Sequence, residues 1–146
     1  MLPPKLVEKA VKHVNRKNWW HVLPSDPNAY TKRGKFLASS FAEAEFWGRP
    51  LNKPQRITIS KPLVGDEQTI ARTLGIPAQN EGMSLEQIAA HDAKWRNAAL
   101  EKGYDSILLM AHKPFANFRT CGKIPRSLEL NILKACDRDS EIADSA

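Results

Sequence analysis

The first regular pattern of apolar and polar residues lies near the start of the chain. Between residues 4 and 16, leucine, valine and alanine recur three or four positions apart with lysines between them, and prolines precede the run. Proline suits the first turn of a helix, and the spacing matches one apolar helix face. The pattern therefore predicts an amphipathic, basic amino-terminal helix within residues 1–18.

Short runs rich in apolar and β-branched residues predict the strands. They lie at residues 19–23, 35–39, 55–63, 105–110 and 127–133. The run 105–110 is the most apolar, and we expect it to be the most buried. The segment 111–126 is interpreted as a long basic and aromatic connection that could hold one further strand near Phe118.

Capping signals predict the remaining helices. The pairs Ser40 with Glu43 and Ser84 with Gln87 have capping-box spacing, and a helix between them is expected to end at Gly75. Because strands and helices do not alternate strictly, the order favours a mixed α+β domain over a doubly wound parallel sheet.

Length and composition are those of one domain spanning residues 1–146, with a polar, frayed tail at 137–146. The chain is 42% hydrophobic, which suffices for a single core. Cys121 and Cys136 form no spaced set with histidine, so we expect neither a metal site nor a disulfide framework. No apolar run suggests a signal peptide or a membrane contact, and a cytoplasmic monomer is the expectation. The net charge of +6 is compatible with an acidic partner.

Common catalytic and phosphate-binding motifs are absent from the sequence. There is no GxGxxG, GxxxxGK[ST], HExxH, GxSxG or paired CxxC. The candidates that remain are scattered along the chain: His21, Phe36, Ser39, Trp47 and Glu129.

The order of these residues resembles the ADP-ribosyltransferase fold, and in particular its histidine–tyrosine–glutamate branch of diphtheria-type toxins and poly-ADP-ribose polymerases. A histidine lies on the first strand, and an aromatic-x-x-Ser strand enters a capped helix. A second aromatic follows eleven residues after the first, and a late strand carries a glutamate. "LEKGYDSILLM" and "SLELNIL" are similar to segments of small bacterial and phage members. In this chain Phe36 and Trp47 replace the two tyrosines of that branch.

The resemblance implies a split β-sheet with flanking helices and NAD as substrate. Glu129 would be the catalytic carboxylate that stabilises an oxocarbenium-like transition state when the nicotinamide–ribose bond breaks. His21 would bind the ribose and act with Glu129 in catalysis. Phe36 and Trp47 would stack on the nicotinamide ring, and Ser39 would lie near its carboxamide or a ribose hydroxyl.

In relatives the segment before the catalytic acid recognises the acceptor. Here it carries Phe118, Arg119, Lys123 and Arg126. Basic residues interleaved with an aromatic suit phosphate and base contacts, so the acceptor is expected to be a nucleic acid or an acidic protein surface.

Three functions are compatible with this interpretation. The first is an NAD-dependent mono-ADP-ribosyltransferase, a glycosyltransferase acting on a macromolecule, as a toxin or a phage-encoded modifier of host machinery. The second is a catalytically inactive relative that binds nucleic acid or a protein through the basic segment, which the substituted tyrosines favour. The third is RNA 2′-phosphotransfer on the same fold, for which the sequence offers no dedicated arginine pair.

Overall fold

The computed structural model describes residues 2–23, 35–38, 49–50, 55–78 and 82–133. In chain order, the elements in these ranges are α1 (Pro4–Arg16), β1 (Asn18–Leu23), β2 (Lys35–Ala38), β3 (Arg49–Pro50), β4 (Gln55–Arg56), β5 (Pro62–Gly65), α2 (Glu67–Leu74), α3 (Leu85–Glu101), β6 (Ser106–Leu109), α4 (His112–Cys121) and β7 (Glu129–Ile132). The predicted α+β class is confirmed. The helix expected from Ser40 and the tail 137–146 lie outside the described residues.

One mixed sheet runs through the described part of the chain in the order β3-β1-β2-β7-β6-β5, and β4 also pairs with β1. Strands β5 and β6 are parallel, and every other pairing is antiparallel. In this order β1, β2, β7 and β6 each have a neighbour on both sides, and β7 is the predicted late strand.

Apolar side chains pack on both faces of this sheet. The first core cluster joins α1 and α4 to the sheet, and its members include Val14, Trp19, Leu108, Phe118 and Leu130. The second core cluster joins α2 and α3 to the opposite face, and its members include Ile70, Leu74, Trp95, Ala99 and Ile107. Because neighbouring residues of a strand face opposite ways, Ile107 and Leu108 separate between the two clusters.

The helix signals for α2 and α3 are confirmed. The Asp66 side chain accepts a hydrogen bond from the Thr69 amide at 2.8 Å, and α2 ends at Gly75 with a φ of 72°. Ser84 and Gln87 form the predicted capping box, with hydrogen bonds of 3.1 and 2.8 Å. Both helices thus begin and end where local sequence chemistry predicts.

The single strand predicted over 55–63 is wrong, because the structure divides it into β4 and β5. Between them, Ile59 pairs with the side chain of Asn15, which accepts from its amide at 2.8 Å and donates to its carbonyl at 3.1 Å. Asp105 accepts from the amides of Ser60 and Lys61 at 2.8 and 3.2 Å. Side chains from elsewhere in the chain therefore take hydrogen bonds that a neighbouring strand would otherwise form.

The interpretation of 111–126 as an extended connection with a strand near Phe118 is also wrong. Residues His112–Cys121 form α4, which ends at Gly122 with a φ of 74°. Phe115 and Phe118, three positions apart, are both buried on one side of this helix. The helical periodicity is short, which explains why a run of basic and aromatic residues resembles a loop.

Candidate functional site

The candidate site lies at one end of the strands, where β2, β5 and β6 have their last residues. There the backbone register aligns Gly65 with Leu109, Leu109 with Glu129, Glu129 with Ala38, and Ala38 with Trp20. Adjacent strands are about 4.8 Å apart, so this row crosses five strands in about 19 Å. This row contains Glu129. It also contains Ala38, the last residue of β2, which immediately precedes Ser39 in the sequence.

Glu129 is a half-buried residue on an inner strand, and its carboxylate is held by a neighbour. The Asn131 side-chain amide donates to Glu129 Oε2 at 3.1 Å. Asn131 is fully buried, and its Oδ1 has no hydrogen-bond partner within the described structure. Glu129 and Asn131 thus form a polar pair on β7, whose other two residues, Leu130 and Ile132, are apolar.

Strand β2 places one further predicted residue, Phe36, next to the strand that carries Glu129 and Asn131. Phe36 pairs with Asn131, and Ala38 pairs with Glu129. Residues two apart on a strand share a face, so the aromatic-x-x-Ser segment runs alongside the glutamate–asparagine pair. Ser39 and Trp47 themselves lie outside the described residues.

His21 occupies a different row. It pairs with Leu37, and Leu37 pairs with Leu130, which belongs to the first core cluster. Successive rows of a sheet alternate between its faces. Phe36 therefore belongs to a row on the same face of the sheet as Glu129, whereas the row of His21 belongs to the opposite face.

The aromatic residue that β1 contributes to the row of Glu129 is Trp20, which sequence reasoning missed. Trp19 is fully buried in the first core cluster, whereas Trp20 is half-buried and pairs with Ala38. The adjacent tryptophans were a usable signal, because two neighbouring side chains of a strand cannot enter the same side of the sheet.

Of the four residues predicted to contact a target, one is misplaced. Phe118 is completely buried in the first core cluster, so the prediction that it contacts a target is wrong. Arg119, Lys123 and Arg126 are exposed. The Arg119 guanidinium lies 5.8 Å from the centre of the Phe115 ring, a distance compatible with a cation–π contact.

A hydrogen bond between histidine and aspartate side chains near the same strand ends was also missed. His112, the first residue of α4, has its Nδ1 2.8 Å from Asp66 Oδ2, and its side chain is 82% exposed. Burial alone would raise the pKa of Asp66, but hydrogen bonds from Thr69 and His112 outweigh it and lower the pKa below its ordinary value. The pair follows the carboxyl ends of the parallel strands β5 and β6, where ligand sites are common in sheets of this kind.

A pocket of about 400 Å³ lies elsewhere, beyond the far end of α2. Its mostly apolar wall includes Ile76, Met83 and His91, with Lys94 as a basic neighbour. The His91 Nε2 lies 2.6 Å from the Pro77 carbonyl oxygen. Helix α2 begins near the strand ends where Glu129 lies and extends for about 12 Å. The pocket lies at the other end of this helix and is therefore separate from the candidate site.

The described ranges contain no group of three or more histidine, cysteine, aspartate or glutamate residues that could hold a metal ion. No helix within them combines the length and apolar character needed to cross a membrane.

Comparisons with known proteins do not add to this picture. Models of protein families, curated proteins and solved structures give no match to the chain. The functional argument therefore depends on the residues of this chain and on their geometry.

Proposed function

We propose that the protein is an NAD-dependent mono-ADP-ribosyltransferase of the ADP-ribosyltransferase fold, with Glu129 as the catalytic carboxylate. One observation carries the proposal: β2 and β7, about ninety residues apart in sequence, pair so that Phe36 aligns with Asn131 and Ala38 with Glu129. Two segments that resemble the family separately are thus neighbours in space. Chance similarity between unrelated segments would not require such pairing.

The chemistry suits a fixed carboxylate. Cleavage of the nicotinamide–ribose bond develops positive charge on the sugar, and a preorganised anion stabilises that charge. The hydrogen bond from Asn131 keeps Glu129 Oε2 in one orientation, so little reorganisation is needed. Because Asn131 is itself fully buried, its role would be to position the carboxylate of Glu129 and not to contact a ligand.

Phe36 and Trp47 are proposed to stack on the nicotinamide ring, and Ser39 to bind its carboxamide or a ribose hydroxyl. Stacking of this kind contributes about 0.5–1.5 kcal/mol per aromatic pair, which orients a leaving group more than it binds one. His21 is proposed to bind the ribose. Its register row differs from that of Glu129, so His21 and Glu129 would act from different rows of the sheet.

The test is label transfer from NAD. Protein and bacterial lysate are incubated with NAD labelled in its adenylate half, and transfer to macromolecules and release of nicotinamide are both measured. Glu129→Gln is expected to lower both rates by about a hundredfold or more, because it removes the charge but keeps the shape. Glu101→Gln, at an exposed glutamate ending α3, is the matched control and should retain activity. Equal activity of the two variants would contradict the assignment of Glu129.

The second candidate is a catalytically inactive protein of the same fold that binds a macromolecule through its basic residues. The observation favouring it is the register separation between His21 and Glu129. It predicts that the unmodified protein releases no nicotinamide from NAD with any lysate fraction, while binding to its partner persists in Glu129→Gln.

A further inference from the structure

The net positive charge of the chain is concentrated in two segments. Residues 2–17 and 111–127 together hold nine basic residues and one acidic residue, Glu8, for a formal charge of +8. The rest of the chain holds thirteen basic and fifteen acidic residues, for a charge of −2. These two segments contain α1 and α4, so the charge asymmetry follows the fold.

Helix α1 carries its charge as a stripe. Lys5, Lys9, Lys12 and Arg16 are spaced by four, three and four residues, and all four are exposed. At about 100° per residue they fall within about 60° of arc, and they extend for about 16 Å along the helix axis. The apolar residues Ala10 and Val14, on the other side, are fully buried.

The stripe continues onto α4 and the segment after it. Lys9 Nζ donates a hydrogen bond to the carbonyl of Gly122, which ends α4. A side-chain position at Gly122 would lie 3.4 Å from Leu6 and 3.5 Å from Lys9, so the two helices are in close contact there. Arg119 and Lys123 flank this contact and are exposed.

Arg56 extends the other end of the stripe. Its Nη2 donates to the Asn15 carbonyl at 3.1 Å, next to the last residue of α1, and the side chain is exposed. We define the basic surface as Lys5, Lys9, Lys12, Arg16, Arg56, Arg119 and Lys123.

We infer that the basic surface binds the phosphate backbone of a nucleic acid. A duplex presents about one charge per 1.7 Å of axis, so the length of the α1 stripe faces roughly nine phosphates. Among the described residues, the one ion pair that this surface forms joins Lys12 to Glu8 at 3.1 Å, and both side chains are well exposed. Lys9 and Arg56 each donate a hydrogen bond to a backbone carbonyl, which leaves their positive charge without a carboxylate partner among the described residues.

Two other partners fit the surface less well. A membrane-bound amphipathic helix inserts its apolar face into lipid, but the apolar face of α1 is already packed into the first core cluster. A protein interface usually has an apolar or aromatic centre, whereas the aromatic residues of α4, Phe115 and Phe118, are buried. A surface of exposed lysine and arginine without an apolar centre matches phosphate contacts.

The inference deepens the proposed function by naming its acceptor class, and for that identity it depends on the proposed function. Binding itself needs no NAD. We therefore measure it without NAD, and also in Glu129→Gln, which leaves the basic surface intact. A protein that binds nucleic acid but transfers no label would retain the inference and lose the proposed function.

The test compares two charge-matched triple variants. The first removes Lys5, Lys12 and Arg16 by substitution with Gln. Lys9 is kept because it holds Gly122. The control replaces Lys61, Lys94 and Lys102 with Gln, which removes the same charge from exposed positions outside the surface. Both should melt within about 3 °C of the unmodified protein, since exposed substitutions change stability little.

Affinity for a 20-base-pair DNA duplex and for a 20-nucleotide single-stranded RNA is measured from 50 to 200 mM salt. The stripe variant is expected to bind about tenfold to a hundredfold more weakly at 100 mM salt. The slope of log affinity against log salt should fall by about 2 to 3. The control should keep nearly the original slope. Tighter binding of the duplex or of the RNA identifies which nucleic acid the surface prefers.

Three results would overturn the inference. The first is an unmodified protein that binds neither probe at 50 mM salt, and the second is an equal loss of affinity in the stripe and control variants. The third is binding to phosphatidylserine vesicles or to polyglutamate as tight as to nucleic acid and equally lost in the stripe variant, because the surface would then recognise negative charge in general.

Discussion

The helices on the two faces of the sheet are held by different interactions. On the second face, α2 and α3 begin at side-chain caps, Asp66 and Ser84, and each has a glutamate in its first turn. On the first face, α1 and α4 have neither a side-chain cap nor an acidic residue in the first turn. Local signals therefore support one pair of helices, while the other pair depends more on burial against the sheet.

This difference follows from what each face exposes. Acidic residues at helix amino termini stabilise the helix dipole, but on the first face they would neutralise a surface that carries a net positive charge. Both pairs of helices bury side chains completely, for example Val14 and Phe118 on the first face and Ile70 and Trp95 on the second. Packing is therefore common to the two faces, and what α1 and α4 lack is the side-chain cap and the first-turn glutamate.

The largest expected effects come from the two cores. Phe118→Ala and Trp95→Ala, one in each cluster, are each expected to lower the free energy of unfolding by about 3–5 kcal/mol, because both side chains are fully buried. Urea unfolding measures the loss. Since the clusters lie on opposite faces, the double variant should be additive within about 0.5 kcal/mol. Strong coupling would show that the faces are not independent.

A smaller effect is expected at Asp105, whose carboxylate joins the residues before β5 to the start of β6. Asp105 accepts four hydrogen bonds, from the amides of Ser60 and Lys61 and from the hydroxyls of Ser60 and Ser106. Asp105→Asn should lower the free energy of unfolding by about 2 kcal/mol at pH 7, because the charged acceptor is lost.

The pH dependence gives this prediction a second measurement. Burial would raise the pKa of Asp105, but hydrogen bonds from Ser60, Ser106 and Lys61 lower it below its ordinary value of 3.8. A depressed pKa contributes stability that is present above about pH 4 and is lost as the pH falls through the folded-state value. The free energy of unfolding should therefore fall less steeply below pH 4 in Asp105→Asn than in the unmodified protein. Identical slopes would mean that the carboxylate is not held as described.

The smallest effects test the caps directly. Ser84→Ala removes a cap from α3 and should cost about 1 kcal/mol. Ala111→Ser should contribute about 0.5 kcal/mol or less to α4, because Pro114 at the third helical position has no N–H and only the Lys113 amide could donate to the new hydroxyl. Thermal melting of the two single variants measures both changes. An unchanged melting temperature in Ser84→Ala would contradict the role given to that cap.

Sequence patterns predicted α1, α2 and α3 well because the signals for each lie within the element. The capping box at Ser84 and the terminating Gly75 depend on neighbours three or four residues away. The same reasoning failed for α4, where Phe115 and Phe118 give less than two turns of apolar repeat. It also failed at 55–63, because Asn15 and Asp105 bind that segment from distant parts of the chain.

The candidate site residues come from the resemblance, and the structure describes how some of them align. The sequence indicated Glu129 and Phe36 separately. The β2–β7 register pairs Phe36 with Asn131 and Ala38 with Glu129, so these four residues share one face of the sheet. Nothing local to His21 indicates that it falls in the row of Leu37 and Leu130 instead. A shift of one residue in register exchanges the faces of a strand, so site geometry cannot follow from spacing alone.

By itself, the sequence determined the α+β class, most element boundaries and the charge of α1, because these depend on side-chain periodicity and on contacts within one turn. Only the tertiary structure decided that α1 and α4 lie side by side, that Phe118 is core, and that Glu129 aligns with Ala38 and Leu109. Such outcomes depend on strand register and on helix packing between residues far apart in the chain. Those contacts form only after loop closure, for which a linear pattern carries no signal.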